Sequence, residues 1–318
     1  MEKKRKYSPC IIIHGGAWSI PNVFLDAYYA GIQDAVKAGF EVLKNGGTAL
    51  DAVEKAVNSM EDNPNFNAGH GAVLNEIGQV ECDAMIMNGS NLNSGAIMAV
   101  NQFSNPVSLA RRVMEETPHC AFNVEGSLAF AKKIGYPILQ DSTELVTEQA
   151  KMKGNAFNKY KKAVHSHIEG RSTEECHDTV GAVAMDATGC IACATSTGGI
   201  PAKMQGRIGD SPMIGCGGYA NEYGGCSTTG HGESLMKMTL AREAVFNIEK
   251  GNNAQVASEE AIKRMEERIN GYGGLIVIDK DGNLGKAFNT KRMAWATAKD
   301  DVIQYGVKPD ECIDLYSS

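Results

Sequence analysis

One boundary constrains this chain more than any other feature: a long polar run that stops against an apolar strand. From Asp141 to Cys176 the sequence is polar and charged and lacks a sustained apolar period, as in "KMKGNAFNKYKKAVHSHIEGRSTEEC". At Thr179 it gives way to "TVGAVAM", an apolar run of strand length. Structureless stretches of about thirty-five residues are uncommon inside compact domains, and are functional or disordered where they occur. Residues 141 to about 178 therefore read as a mobile linker, with a separate set of elements on each side of it. A threonine at the head of the strand, behind His177-Asp178, poses a question. It is either an ordinary β-former or a nucleophile released as a new chain terminus.

Both halves show strands kept apart from helices. "CIIIHGGAW" is a short apolar run ended by glycines, so a buried strand turning at Gly15-Gly16. Asp26 to Lys44 is helical and Asn45-Gly46-Gly47 stops it. Thr48 to Asp51 forms a capping box for the next helix, whose apolar stripe is Ala49, Ala52, Val53, Ala56, Val57 and Met60. "NPNFNAGHGAVLN" is a loop rich in glycine and asparagine. Ala84–Met87 and Ala96–Val100 read as strands, Pro106 opens a helix, and another covers Val124 to Lys133. After the linker, Val180–Met185 and Ile191–Thr195 flank the turn "DATG" as a hairpin. The stretch from Thr195 to Leu235 is glycine-rich and polar. Helices follow from about Glu233 to Glu249 and from Ala254 to Asn270, then a hairpin of Leu275–Ile278 and Leu284–Phe288. This order predicts an α/β (α+β) protein with sheets sandwiched between helical layers. At 318 residues the chain suits two domains or one large layered structure.

Bulk properties exclude several classes. A net charge of −7 gives no nucleic-acid footprint, which needs a basic face, and Lys3 to Lys6 reads as a solvated tail. No signal peptide is visible and no segment approaches the roughly 20 apolar residues of a membrane span. The nine cysteines are scattered and odd in number, as free thiols in a reducing compartment would be, so the expected location is the cytoplasm. Cys190 and Cys193 form a lone C-x-x-C with no second pair at zinc spacing. His165 and His167, in the linker, lack neighbouring ligands and read as solvated. Asn88-Gly89-Ser90 matches a glycosylation acceptor but has no consequence without secretion.

The usual catalytic patterns are missing: no G-x-S-x-G elbow, P-loop, H-E-x-x-H or G-x-G-x-x-G after a strand. What remains is a set of hydroxyls among glycines: Thr179, Thr195, Ser196, Thr197, Ser211, Ser227, Thr228 and Thr229. A hydroxyl is a poor nucleophile without a neighbouring base, and no well-placed histidine is evident. A cut before Thr179 removes the need for one. The α-amine so released has a pKa of about 7.7–8.0, against about 10.4 for lysine, close to where a general base works best. One residue then supplies both nucleophile and base.

Six segments now carry a resemblance: "HGGAW", "NFNAGHGAVLN", "DTVGAVAMDATG", "ATSTGG", "GRIGDSP" and "STTGHGES". In this order the chain resembles the N-terminal-nucleophile (Ntn) hydrolases of the isoaspartyl peptidase/L-asparaginase, or plant-type asparaginase-like, family. The match spans essentially everything but the linker. It implies a four-layer αββα sandwich and self-cleavage into an α chain, Met1–Asp178, and a β chain, Thr179–Ser318, intertwined in one domain. It also implies hydrolysis of L-asparagine and β-aspartyl dipeptides with release of L-aspartate, no required cofactor, and a dimer of αβ heterodimers.

Residue by residue, Thr179 matches the nucleophile and Thr197 the threonine that hydrogen-bonds it. Arg207 and Asp210 match the pair that holds the substrate's α-carboxylate and α-amine, with Ile208 and Gly209 between them; the charges suit those roles. Thr229 and Gly230 match the oxyanion donors, followed by His231 and by Gly232 near the substrate amine. Asn67 matches a supporting asparagine beside the nucleophile. The loop with Glu61, Asn63 and Phe66 resembles one that often wraps a structural sodium ion. Taken alone, Arg207 and Asp210 could equally form a surface ion pair, the glycines could serve tight turns, and Thr179 could be a plain strand residue.

The residue before the nucleophile departs from the asparaginase pattern, where it is usually glycine; here it is Asp178. His177-Asp178-Thr179 and Trp18 are closer to glycosylasparaginase, which keeps N-glycosyl-asparagine open as a substrate. The missing signal peptide, "STTGHGES" and the fit of the first hundred residues favour the asparaginase type. Threonine aspartase ranks third. An uncleaved, inactive scaffold is the alternative outside the enzymes.

Overall fold

A computed structural model of the chain describes residues 7–148, 150–151 and 179–315. Its elements before the linker are β1 (Cys10–Trp18), α1 (Leu25–Lys44), α2 (Ala49–Glu61), β2 (Cys82–Asn88), β3 (Ser94–Val100), α3 (Pro106–Glu116), β4 (Ala121–Phe122) and α4 (Val124–Ile134). After it come β5 (Val180–Met185), β6 (Ile191–Thr197), β7 (Gly218–Ala220), β8 (Gly224–Gly230), α5 (Gly232–Met238), α6 (Leu240–Glu249) and α7 (Ala254–Ile269). The chain then closes with β9 (Gly273–Asp279), β10 (Leu284–Phe288), β11 (Arg292–Lys299), β12 (Val302–Gly306) and β13 (Ile313–Leu315). The strands form a nine-stranded sheet, β13-β12-β11-β1-β5-β6-β2-β3-β4, and a four-stranded sheet, β10-β9-β8-β7. β1 lies between β5 and β11, and β2 beside β6, so strands from both sides of the linker alternate in one sheet.

Strand parity explains the layers. Ile11 and Ile13 of β1, with Ala182 and Ala184 of β5, face α1 to α4, whereas Ile12 and Val183 face the four-stranded sheet. In β9, Ile276 and Ile278 meet them there, while Leu275 and Val277 turn to α5 to α7. Three apolar cores thus separate four layers, helices, sheet, sheet, helices, as the αββα expectation holds. Strands covered on both faces read as unbroken apolar runs rather than alternating ones, which is why "CIIIH" and "VGAVAM" look as they do.

The same parity sets the chemistry. Residues of β5 with odd numbers face the other sheet, and so do those of β6 and β8: Cys193 in β6 lies in the inter-sheet core, whereas Cys226 in β8 lies on the helix side. Thr179, Thr195, Thr197, Ser227 and Thr229 therefore all point into the space between the sheets, near strand ends that the antiparallel β5–β6 pairing brings together.

Most predicted elements stand with ends moved by a few residues. Thr48 and Asp51 make the capping box, with the Asp51 N–H donating to Thr48 Oγ1 at 3.2 Å. β1 corrects one expectation. It runs through Gly15-Gly16 to Trp18, with a bulge between His14 and Ala17 against β11. The helix expected over Glu233–Glu249 is two, broken where Thr239 takes φ +47°. Residues 141–148 and 150–151 depart from the linker expectation. Asp141 caps a short 3₁₀ turn at Ser142–Leu145, and Leu145 and Ala150 are buried in the helix-side core. Residues 152–178, including His165, His167 and Asp178, lie outside the described residues.

Helix α3 sits on the large sheet through Gly95 of β3, where an added Cβ would lie 2.0 Å from the Ala110 carbonyl oxygen. Gly95→Ala should therefore lower stability by about 1–3 kcal/mol through overpacking. The check is the denaturant midpoint at unchanged slope; an unmoved midpoint would mean that α3 yields freely.

Candidate active site

The strand ends meet at a cavity of about 230 Å³, mouth included, lined by Thr179, Thr197, Gly199, Ile200, Arg207, Gly209, Asp210, Ser211, Gly230 and Gly232. Seven of these were expected from the sequence. Gly199, Ile200 and Ser211 are additional walls. Thr179 is only 4% exposed, and its Oγ1 lies 3.4 Å from Ser211 Oγ.

Asn67 does not line the cavity; it braces the wall from behind. Its Nδ2 donates to the Gly199 carbonyl at 2.7 Å, its carbonyl accepts the Gly198 N–H at 2.9 Å, and its Oδ1 accepts the Val73 N–H at 2.8 Å. The Gly199 N–H also donates to Thr197 Oγ1 at 3.0 Å. Asn67 thus holds the turn that carries Thr197. Beneath that turn Lys203, fully buried, donates to the Glu81 carbonyl at 2.8 Å.

Opposite stand the charges. Arg207 donates through Nε and Nη2 to the two carboxylate oxygens of Glu233, at 3.0 and 2.9 Å. Its ion pair is thus with Glu233, a residue to which the motifs assign no role, and not with Asp210. Burial opposes the Glu233 charge, but the Arg207 fork holds its carboxyl well below the usual range. Glycines keep the space around the guanidinium open. A Cβ at Gly209 would lie 2.9 Å from Arg207 Nη1, and one at Gly232 would lie 2.7 Å from Nη2 and 3.1 Å from Asp210 Oδ1. Burial pushes the Asp210 carboxyl up to about 7, with the Thr228 hydroxyl, 3.0 Å from Oδ2, and the Arg207 charge opposing it.

Thr229 is buried under β1, and its hydroxyl accepts the Ala17 N–H at 3.1 Å, so its single hydrogen is directed elsewhere. Gly230 has φ +134°, and a Cβ there would lie 2.4 Å from Gly273 Cα, so both conformation and space require glycine. His231 stacks on Tyr272 at the edge of the site, 3.3 Å from Glu233, and Ile208 is half-buried without lining the cavity. Trp18 packs near Tyr28 in the helix-side core and is not among the lining residues.

The sequence also concealed a histidine. His14 is fully buried in β1 and bonds the Thr179 carbonyl from Nδ1 at 2.9 Å. The signal for it was the parity of β1, which puts His14 on the same side as Ile12.

In the 61–66 loop, the carbonyls of Glu61 and Asn63 accept the N–H groups of His70 and Phe66, at 2.7 and 3.1 Å. The Glu61 carboxyl, which burial pushes up to about 8, accepts instead from the Val107 N–H at the start of α3. Each of these carbonyl oxygens keeps a second lone pair, of the hard kind that a sodium ion takes.

Two facing sheets between helical layers, with a threonine at the head of a central strand facing the cavity, define an Ntn-type hydrolase fold. Within that class the chain belongs to the asparaginase family, whose sequence profile matches residues 7–307. It is 44% identical over 309 residues to the human isoaspartyl peptidase/L-asparaginase, covering 96% of this chain and 97% of that one. The zebrafish (Danio rerio) protein of the same name is 44% identical over 304 residues, covering 94% and 95%. A probable isoaspartyl peptidase/L-asparaginase of Drosophila pseudoobscura pseudoobscura is 42% identical over 313 residues, covering 94% and 96%.

Proposed function

We propose that this protein is a threonine hydrolase that splits L-asparagine and β-aspartyl dipeptides and releases L-aspartate, after cutting its own chain between Asp178 and Thr179. The observation that carries this reading is the cavity itself. One wall presents Thr179, and the other presents an arginine and a buried carboxylate spaced by glycines. With Nε and Nη2 given to Glu233, the Nη1 side of Arg207 suits the α-carboxylate common to these substrates, and an aspartate suits their α-ammonium. The scissile carbonyl then lies toward Thr179.

In the uncut chain the nitrogen of Thr179 is an amide and cannot act as a base. Once free, the α-amine takes the hydroxyl proton while Oγ1 attacks the side-chain carbonyl. Thr229 and the Gly230 N–H stabilise the developing oxyanion. Ammonia or an amino acid leaves with a proton from the same amine, and water then hydrolyses the β-aspartyl ester. Thr197, on the turn braced by Asn67, holds the nucleophile. A sodium ion held by the 61–66 carbonyls would stiffen the loop that leads to Asn67 and takes no part in the reaction. Trp18 in the helix-side core removes one argument for glycosyl-asparagine as the substrate. The eight described cysteines are all free, in line with a cytoplasmic location. Among the described residues no helix is long and apolar enough to cross a membrane.

The test is purified protein run on a denaturing gel and assayed with asparagine, a β-aspartyl dipeptide and glycosyl-asparagine. Two bands and aspartate release from the first two support the reading; one uncut, inactive band favours a scaffold. The pH profile adds a check. Only ionised Asp210 takes an ammonium, and burial raises its pKa to about 7. The Thr179 amine must likewise be unprotonated, with a pKa of about 7.7–8.0. Both effects have one sign, so kcat/KM should rise steeply between about pH 6 and 8. A flat profile there would contradict these roles.

A further inference from the structure

Thr179 is anchored by a side chain where the sheet stops. The β1–β5 ladder runs from Cys10↔Met185 to His14↔Gly181 and ends. The β5–β6 ladder begins only at Val180↔Ser196. Beyond His14, β1 enters its bulge. The Thr179 carbonyl is met by His14 Nδ1 at 2.9 Å, and across the same ring Nε2 lies 2.8 Å from Ser227 Oγ in the facing sheet.

The hydrogen positions follow from the partners. A carbonyl oxygen can only accept, so Nδ1 carries the hydrogen. Burial drives the His14 pKa down to about 3, so the ring is neutral with one hydrogen. Nε2 therefore accepts and Ser227 donates, and together the two bonds select one tautomer. Gly181 makes the room: a Cβ there would lie 2.1 Å from Ser227 Oγ and 2.5 Å from His14 Nε2.

We propose that His14 is a positioning residue for the nucleophile, its Nδ1–H clamping the Thr179 carbonyl while Ser227 locks the ring from the opposite sheet. The inference rests on the reading of Thr179 as a nucleophile that becomes a chain end. Chain ends fray unless tied down. After the cut, the chain continues from Thr179 on its carbonyl side alone, and rotation there would swing both Oγ1 and the amine away from a bound carbonyl. The clamp removes that freedom without touching the substrate, whose charges are held by Arg207 and Asp210.

Two substitutions split the ring's functions. Asparagine can place its Nδ2 near the position of Nδ1 and so keep the carbonyl bond. Glutamine reaches toward the position of Nε2, keeping Ser227 but losing Thr179. For β-aspartyl dipeptide hydrolysis by cleaved protein, His14→Gln should lower kcat on the order of 10²-fold, the effect of misplacing a reacting group by about 1 Å, with KM unchanged. His14→Asn should recover most of that turnover. Wild type inactive on every β-aspartyl substrate would count against the proposed function. An active wild type with an equally active His14→Gln variant would overturn this inference, and so would equal losses in both variants, which make His14 structural only. If His14→Gln does not fold or cut, the ¹⁵N spectrum of histidine-labelled wild type decides. His14 should show one hydrogen, on Nδ1, across about pH 5 to 8; a hydrogen on Nε2 would overturn the proposal.

Discussion

Thr179→Ala should bring hydrolysis to background, a fall on the order of 10⁶-fold, the scale of deleting a hydroxyl nucleophile from a hydrolase that depends on it. The same variant should remain a single uncut chain, because one hydroxyl serves both steps. Two other hydroxyls line the cavity, those of Thr197 and Ser211. Neither becomes a chain terminus on cleavage, so neither acquires an amine of its own as base. Thr179 lines a cavity rather than a packed core, so losing its hydroxyl and methyl should leave the fold intact. Protein that still splits between Asp178 and Thr179 after this change would contradict the assignment.

Arg207→Ala should lower kcat/KM roughly 30- to 5000-fold, the equivalent of about 2–5 kcal/mol for a buried charge that loses its partner. The loss should appear mainly in KM. Glu233 would add to it, since its carboxylate, having lost the fork, would be left as an unpaired negative charge repelling the substrate's own carboxylate. Lysine would restore little, because a single ammonium cannot serve Glu233 through two nitrogens and still face a substrate. Self-cleavage should survive, since no substrate is bound then. Equal loss of cleavage and hydrolysis would make Arg207 a structural residue.

Much of this was legible because the central strands are buried on both faces. β1, β5 and β9 announce themselves as continuous apolar runs, and the capping box of α2 is written in Thr48 and Asp51. β8 was hidden for the opposite reason. "GGCSTTG" is small and polar because one of its faces supplies Ser227 and Thr229 to the inter-sheet space, so it carries no strand-like hydrophobicity. β11 to β13 were also missed; β12 and β13 are short and lie toward the edge of the sheet. The family motifs pointed to Thr179, Thr197, Arg207, Asp210, Gly230 and Gly232, all of which line one cavity. They did not reveal the Glu233 pairing, which joins residues 26 positions apart across a turn that only the fold closes. Nor did they reveal His14. Its pairing with the Thr179 carbonyl depends on where the β1–β5 ladder stops, and no local pattern records that. Leu145 and Ala150 read as linker because they are isolated apolar residues with no period, yet both are buried against the helix-side core.

The central claim is that Thr179 works as a chain terminus. The intact-mass spectrum of purified protein that is releasing aspartate from a β-aspartyl dipeptide tests it directly. The account predicts a fragment with the mass of Thr179–Ser318, and the disappearance of both that fragment and the activity in Thr179→Ala. Aspartate release by a preparation whose only species is the uncut 318-residue chain would contradict it.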